Sequence, residues 1–190
     1  MENYKKLNLS ISPDNKIFQD YKEFDYKQAI VPNNAYSKSK TFIQYTVSRK
    51  YFVNEPIMKI IRDLNLHPRI FIIESKHCYN WHRDAFRNIA FNAMLDDDPD
   101  YFVAFAPDHP VDESHQSIYY VRTEEVRYEN NKFILFNTQV PHITINLSDK
   151  PRYLLTIANY NSGTNSFKNR PVNDNEFQKT VEYLKKQNWV

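Results

Sequence analysis

Between Arg69 and Tyr160 the chain breaks into short apolar runs, RIFIIES, NIAFNAML, YFVAFA, SIYYV, KFILFNT, HITINL and RYLLTIAN, separated by Asn, Asp and Pro. Runs this short, rich in β-branched and aromatic side chains and bounded by turn formers, read as strands. Six or more of them at close spacing point to a sandwich or barrel and against alternating β-α units. The expected fold is mainly β with flanking helices, in the form of an antiparallel double-sheet jelly roll. A turn is expected near Glu124 to Tyr128.

Flanking segments are read the same way. Thr41 to Val47 (TFIQYTV) has the composition of a further strand. Asn54-Glu55-Pro56 opens a helix carrying Ile57, Ile60, Ile61 and Leu64 at spacings of three and four, with Asn54 as N-cap, ending before Pro68. The first 50 residues are polar and weakly periodic, and are expected to form an irregular arm with one helix around Phe18 to Ile30. Phe177, Val181 and Leu184 predict a C-terminal helix over about 174–187. A length of 190 residues suits one domain, 1–190, with its core at about 41–160.

Composition narrows the function. With 25 Lys+Arg against 23 Asp+Glu, the chain carries no global field that would draw in nucleic acid or an anionic membrane. No run approaches the length of a membrane span, so a soluble, cytoplasmic protein is expected. Cys78 is the only cysteine, which excludes an internal disulfide and argues against a structural zinc site formed with His82. Gly163 is the only glycine, which excludes Gly-rich phosphate loops. Turns must then use residues that tolerate positive φ, and Asn33-Asn34, Asp96-Asp97-Asp98 and Asn130-Asn131 stand where turns are needed.

The chemistry-bearing pattern is His82-Arg83-Asp84, then His142, then Arg152. On an extended segment, residues two apart share a face, so His82 and Asp84 supply two ligands while Arg83 points away. His142, which opens the run ITINL, is placed to arrive as the third ligand from a strand distant in sequence. Two imidazoles and one carboxylate with open positions suit non-haem Fe(II) and O2 chemistry. Arg152 begins the next strand, RYLLTI, among apolar neighbours. A guanidinium in a barrel interior needs an anionic partner. A dicarboxylate would provide one through bidentate hydrogen bonds; a salt bridge to a nearby Asp is the other reading.

Here the chain resembles the Fe(II)/2-oxoglutarate-dependent dioxygenases, whose motif runs His-x-Asp/Glu, a distal His, and an Arg or Lys about ten residues on. The matching positions are His82, Asp84, His142 and Arg152, and the resemblance covers roughly Arg69 to Asn159. Within it, PHITINLSDKPRYLLTI is similar to a segment of aspartyl/asparaginyl β-hydroxylase-like members. Those members commonly have no carboxylate where Asp84 stands. The resemblance implies a double-stranded β-helix of cupin type, with Fe(II) on His82, Asp84 and His142 and 2-oxoglutarate anchored by Arg152. It also implies oxidative decarboxylation to succinate and CO2, coupled to hydroxylation of a C–H bond. Asp84 argues against a halogenase, where a small residue would be expected.

Arg87, Asn92 and Thr144 are further candidates to touch the cosubstrate. Asn146 reads as a turn residue and Trp81 as a core or rim aromatic. His67, His109 and His115 read as loop residues. The expected substrate is a peptidyl side chain or an amino acid, with another small molecule next and a nucleobase last. Two competing readings are a cupin-like His2Asp metalloenzyme without 2-oxoglutarate, against which Arg152 counts, and a barrel that only binds. Retention of all four motif residues counts against the second.

Overall fold

A computed structural model describes residues 2–21, 42–84, 87–96, 100–108, 122–159 and 175–190. Its strands are β1 (Tyr4–Ser10), β2 (Phe42–Thr46), β3 (His67–Ile73), β4 (His77–His82), β5 (Ile89–Met94), β6 (Tyr101–Phe105), β7 (Glu124–Arg127), β8 (Lys132–Asn137), β9 (His142–Asn146) and β10 (Arg152–Ala158). The helices are α1 (Ile17–Asp20), α2 (Ile57–Asp63) and α3 (Asn175–Lys186). Two antiparallel sheets result, ordered β1-β8-β5-β10-β3-β2 and β4-β9-β6-β7. From β3 to β10 the chain repeatedly steps from one sheet to the other, which is the winding of a double-stranded β-helix. The expected jelly roll is therefore the observed one.

Period-two alternation divides the side chains of the larger sheet between two environments. Along β10, Leu155 and Ile157 join Ile70, Ile72, Phe91, Phe133 and Leu135 in a core covered by Phe177, Val181 and Leu184 of α3 and by Ile57, Ile60 and Ile61 of α2. Leu154, on the opposite face of β10, meets Phe71, Ile73, Met94 and Tyr101 between the sheets. Arg152 and Thr156 share the parity of Leu154, so the same alternation that builds the core sends them into the barrel. Phe177 is fully buried. Phe177→Ala should lower stability by about 3–5 kcal/mol, read as a drop in the urea midpoint.

Several expectations need correction. The N-terminal arm is not irregular: β1 pairs with β8, Leu7 and Leu9 alternate inward, and the Asn8 amide donates to the Trp189 carbonyl at 2.8 Å. The lysines of YKKLNLS hide this strand because they occupy its exposed positions. Within the described residues the first helix is the short α1; the rest of the expected Phe18 to Ile30 helix and the run SIYYV lie outside them. Glu124 to Arg127 is a strand and not a turn, since β7 closes the edge of the smaller sheet with only Val126 buried. A charged strand is what a sheet edge tolerates.

Asn54 does not cap α2. Pro56 holds that position without a side-chain bond, and the carbonyls of Glu55 and Pro56 accept from the Met58 and Lys59 amides. A 3₁₀ turn at Arg49–Phe52, capped by Ser48, leads into the helix. Asparagine does replace glycine elsewhere: Asn131 turns β7 into β8 with φ 61° and Asn65 ends α2 with φ 49°. Asn33-Asn34 and Asp97-Asp98 lie outside the described residues. No helix among the described residues is long and apolar enough to cross a membrane.

Candidate metal centre

The smaller sheet brings the two histidines together. β4 and β9 pair with Tyr79 opposite Thr144 and His82 opposite His142, so β4 spends one residue more than β9 over the same span. Without that bulge, His82 would point to the other side of the sheet from Tyr79. With it, both side chains face inward, and the His82 and His142 rings lie with centroids 4.3 Å apart. Asp84 follows directly after β4. Ligand atoms of His82, Asp84 and His142 all lie within 4.8 Å of one another, the one such cluster of His, Cys, Asp and Glu among the described residues.

Each ligand is fixed by its surroundings. The Nδ1 of His142 lies 2.9 Å from the Val140 carbonyl oxygen, which calls for an N–H there and leaves Nε2 with its lone pair free. Burial pushes the His142 imidazole down, against the pull of the Asp84 carboxylate and the Val140 carbonyl, so the ring is held in the neutral form a metal requires. Burial alone would push the Asp84 carboxyl up, but Arg87 and the two imidazoles outweigh it and hold it below the usual range. Arg87 Nε donates to Asp84 Oδ2 at 2.5 Å, while Asp84 Oδ1 faces His82 Nε2 at 3.7 Å. One oxygen is thereby anchored and the other presented.

The turn before β9 secures this loop. Gln139 Nε2 donates to the carbonyls of Asp84 at 3.0 Å and Arg87 at 2.9 Å. Thr138 Oγ1 donates to the Arg87 carbonyl at 2.7 Å, and the Asp84 amide donates to the Thr138 carbonyl at 3.0 Å. Gln139 gave no signal in the sequence, where it is one polar residue in NTQVPH. Gln139→Ala should leave the fold standing and weaken metal binding about 10–100-fold by freeing the Asp84 loop, measured by metal titration.

Farther along the barrel, Arg152 is buried, with Nη1 donating to Asp96 Oδ2 at 3.0 Å. Both sequence readings of this residue thus meet: it is interior, and it has an aspartate partner. Asn92 is buried on β5 opposite Thr156. Thr144 stands on β9 two residues beyond His142, on its face, across from Val103. Arg87 pairs with Asp84 and lies 5.2 Å from the Phe71 ring centroid. Asn146 is the last residue of β9, and its side chain braces the turns beside it, Nδ2 donating to the carbonyls of Ile73, Glu74 and Lys150. Trp81 is half-buried, His67 and Cys78 are exposed, and His109 and His115 lie outside the described residues.

Residues that the sequence did not single out complete the interior. The Thr156 hydroxyl and the Asn92 Oδ1 are buried without a hydrogen-bond partner, and the hydroxyls of Tyr101 and Tyr128 are buried with them. Burial drives both phenols well up, so they are neutral donors; Thr144 lies near Tyr101 and Asn92 near Tyr128. Buried polar atoms left unpaired are rare and costly. The three hydroxyls, as donors on the inward faces of a barrel that also holds Arg152 and a His2Asp cluster, fit a polar, anionic ligand there. The donor set fits the metal as well, since imidazole and carboxylate without thiolate suit Fe(II). A cleft of about 780 Å³ lies elsewhere, lined by residues such as Ser12, Asn15, Ser48 and Glu55, and holds none of this chemistry.

No protein-family model and no curated protein matches this sequence. Solved structures do match its fold. HygX from Streptomyces hygroscopicus, with nickel, 2-oxoglutarate and hygromycin B bound, superposes with a TM-score of 0.60 at 10% identity, over 84% of this chain and 83% of that one. The fold is that of the 2-oxoglutarate-dependent oxygenases. A Trichoplax adhaerens prolyl hydroxylase, in complex with a hypoxia inducible factor oxygen degradation domain peptide fragment, gives 0.59 at 9% identity over 85% and 84%. SnoN, a non-haem α-ketoglutarate-dependent epimerase of nogalamycin biosynthesis, also gives 0.59, at 10% identity over 89% and 86%. An epimerase and a prolyl hydroxylase share this fold, so the reaction has to be argued from the site.

Proposed function

We propose that this protein is an Fe(II)- and 2-oxoglutarate-dependent dioxygenase that hydroxylates a C–H bond of a peptidyl side chain or an amino acid. The observation that carries the reading is the convergence of His82, Asp84 and His142 within 4.8 Å, with His142 oriented by Val140 and Asp84 by Arg87. Bound Fe(II) with 2-oxoglutarate supplies the activation of O2, with succinate and CO2 as coproducts. The chain's own part is orientation. Val140 keeps His142 Nε2 available, Arg87 limits Asp84 to one presented oxygen, and Arg152 would hold a carboxylate of the cosubstrate. Asn92 and Thr144, from opposite walls, would offer it further polar groups.

Support for a peptidyl substrate comes from the β-hydroxylase-like block around His142 and from the peptide-bound prolyl hydroxylase among the neighbours. The hygromycin-bound neighbour supports the small-molecule alternative. The test is anaerobic reconstitution with Fe(II) and 2-oxoglutarate, then succinate formation in air across peptide, amino-acid and nucleic-acid pools. Succinate should rise with metal and with one of the first two pools. Absence of metal-dependent turnover in every pool sinks the assignment, and turnover on the nucleic-acid pool alone sinks the substrate class.

A further inference from the structure

Arg152 has an anionic partner within the chain itself. Its side chain is only 4% exposed and that of Asp96 16%, and they meet through one contact, Nη1 to Oδ2 at 3.0 Å. A carboxylate built as a permanent arginine partner would use both oxygens in a fork. Here the fork is not made: Asp96 Oδ1 stands outside the contact with Arg152, and the backbone amides of Tyr153 and Asp96 support the carboxylate instead. The buried phenol of Tyr101 lies within electrostatic reach of Asp96 and beside Thr144. Burial pushes the Asp96 carboxyl up even with Arg152 beside it, so the pair is an imperfect match. The chain thus places a carboxylate of its own where the proposed cosubstrate would put one.

We infer that Asp96 is an internal competitor for the anion that Arg152 binds, occupying the guanidinium when 2-oxoglutarate is absent and yielding it when 2-oxoglutarate enters. The inference rests on reading Arg152 as the cosubstrate anchor. Physically the device answers a problem of burial: an uncompensated interior guanidinium is strongly destabilising, and a stand-in carboxylate removes that cost in the empty state. The consequence is a lowered cosubstrate affinity, because apparent binding is reduced by the fraction of molecules in which Arg152 is engaged. Occupancy of the site would then follow the 2-oxoglutarate concentration over a higher range than the barrel alone would set.

The test compares wild type with Asp96→Asn, which keeps shape and removes the charge, and with Asp96→Ser, which removes the competing group altogether. Metal affinity is measured first and should be unchanged, because Asp96 is not among the clustered ligands. Anaerobic titration of the Fe(II) proteins with 2-oxoglutarate, followed by calorimetry, should show tighter binding in the variants by about tenfold or more. In wild-type Zn(II) protein labelled with 13C-aspartate, 2-oxoglutarate should also move one buried carboxyl resonance, a reading that needs no variant to fold. Unchanged or weaker 2-oxoglutarate binding in the variants, or no carboxyl shift in wild type, overturns the inference and leaves Asp96 as a group that positions Arg152. If all three proteins bind metal and none binds 2-oxoglutarate, the proposed function itself has failed and the inference falls with it.

Discussion

His142→Ala should abolish metal-dependent succinate formation and lower metal affinity more than about 100-fold, beyond what loss of a supporting contact costs. The residue is buried and paired across the sheet with His82, so its removal takes one of three ligands and opens a hole where water replaces an oriented lone pair. Stability should fall as well, since Phe105, 5.7 Å from the imidazole centroid, loses a packing partner. Metal titration by calorimetry and a coupled succinate assay read the two effects separately. Full turnover in His142→Ala would remove the cluster from the chemistry.

Arg152→Ala carries the second large effect, of a different kind. It leaves Asp96 buried without its cation, and breaking a buried pair by removing one partner costs about 3–5 kcal/mol. The urea midpoint should drop accordingly while metal binding persists, because Arg152 is not a ligand. On the proposed reading, 2-oxoglutarate binding should be lost by two orders of magnitude or more, as expected when a charged hydrogen-bonded anchor is truncated. Arg152→Lys should restore stability better than affinity, since an ammonium satisfies Asp96 but cannot fork onto a carboxylate. A variant that is destabilised yet binds 2-oxoglutarate normally would show Arg152 to be purely structural.

The parts of this protein that could be read from its sequence are those where one residue type implies one environment. Apolar runs such as KFILFNT and RYLLTIAN declared the larger sheet, and the spacing of His82, Asp84 and His142 declared the cluster. β1, β4 and β7 escaped because each sets only one to three apolar residues among charged or polar ones, too few to stand out. Arg152 could be placed inside from its neighbours, yet its partner could not be named. Asp96 is 56 positions away and belongs to a run of three aspartates that look alike in one dimension. Gln139, Tyr101 and Tyr128 matter through the cavity they face, and a cavity exists only once two sheets are stacked.

The extra residue in β4 has a consequence for how this chain can change. In a ladder without that excess residue, Trp81 and not His82 would stand opposite His142. A deletion of one residue between Tyr79 and His82 would straighten the strand and still leave His82 two positions beyond Tyr79, on its face and opposite His142, whereas an added residue would carry the histidine out of that register. Any gap-free matching of this strand to a bulge-free counterpart would accordingly set the wrong residue against the first histidine.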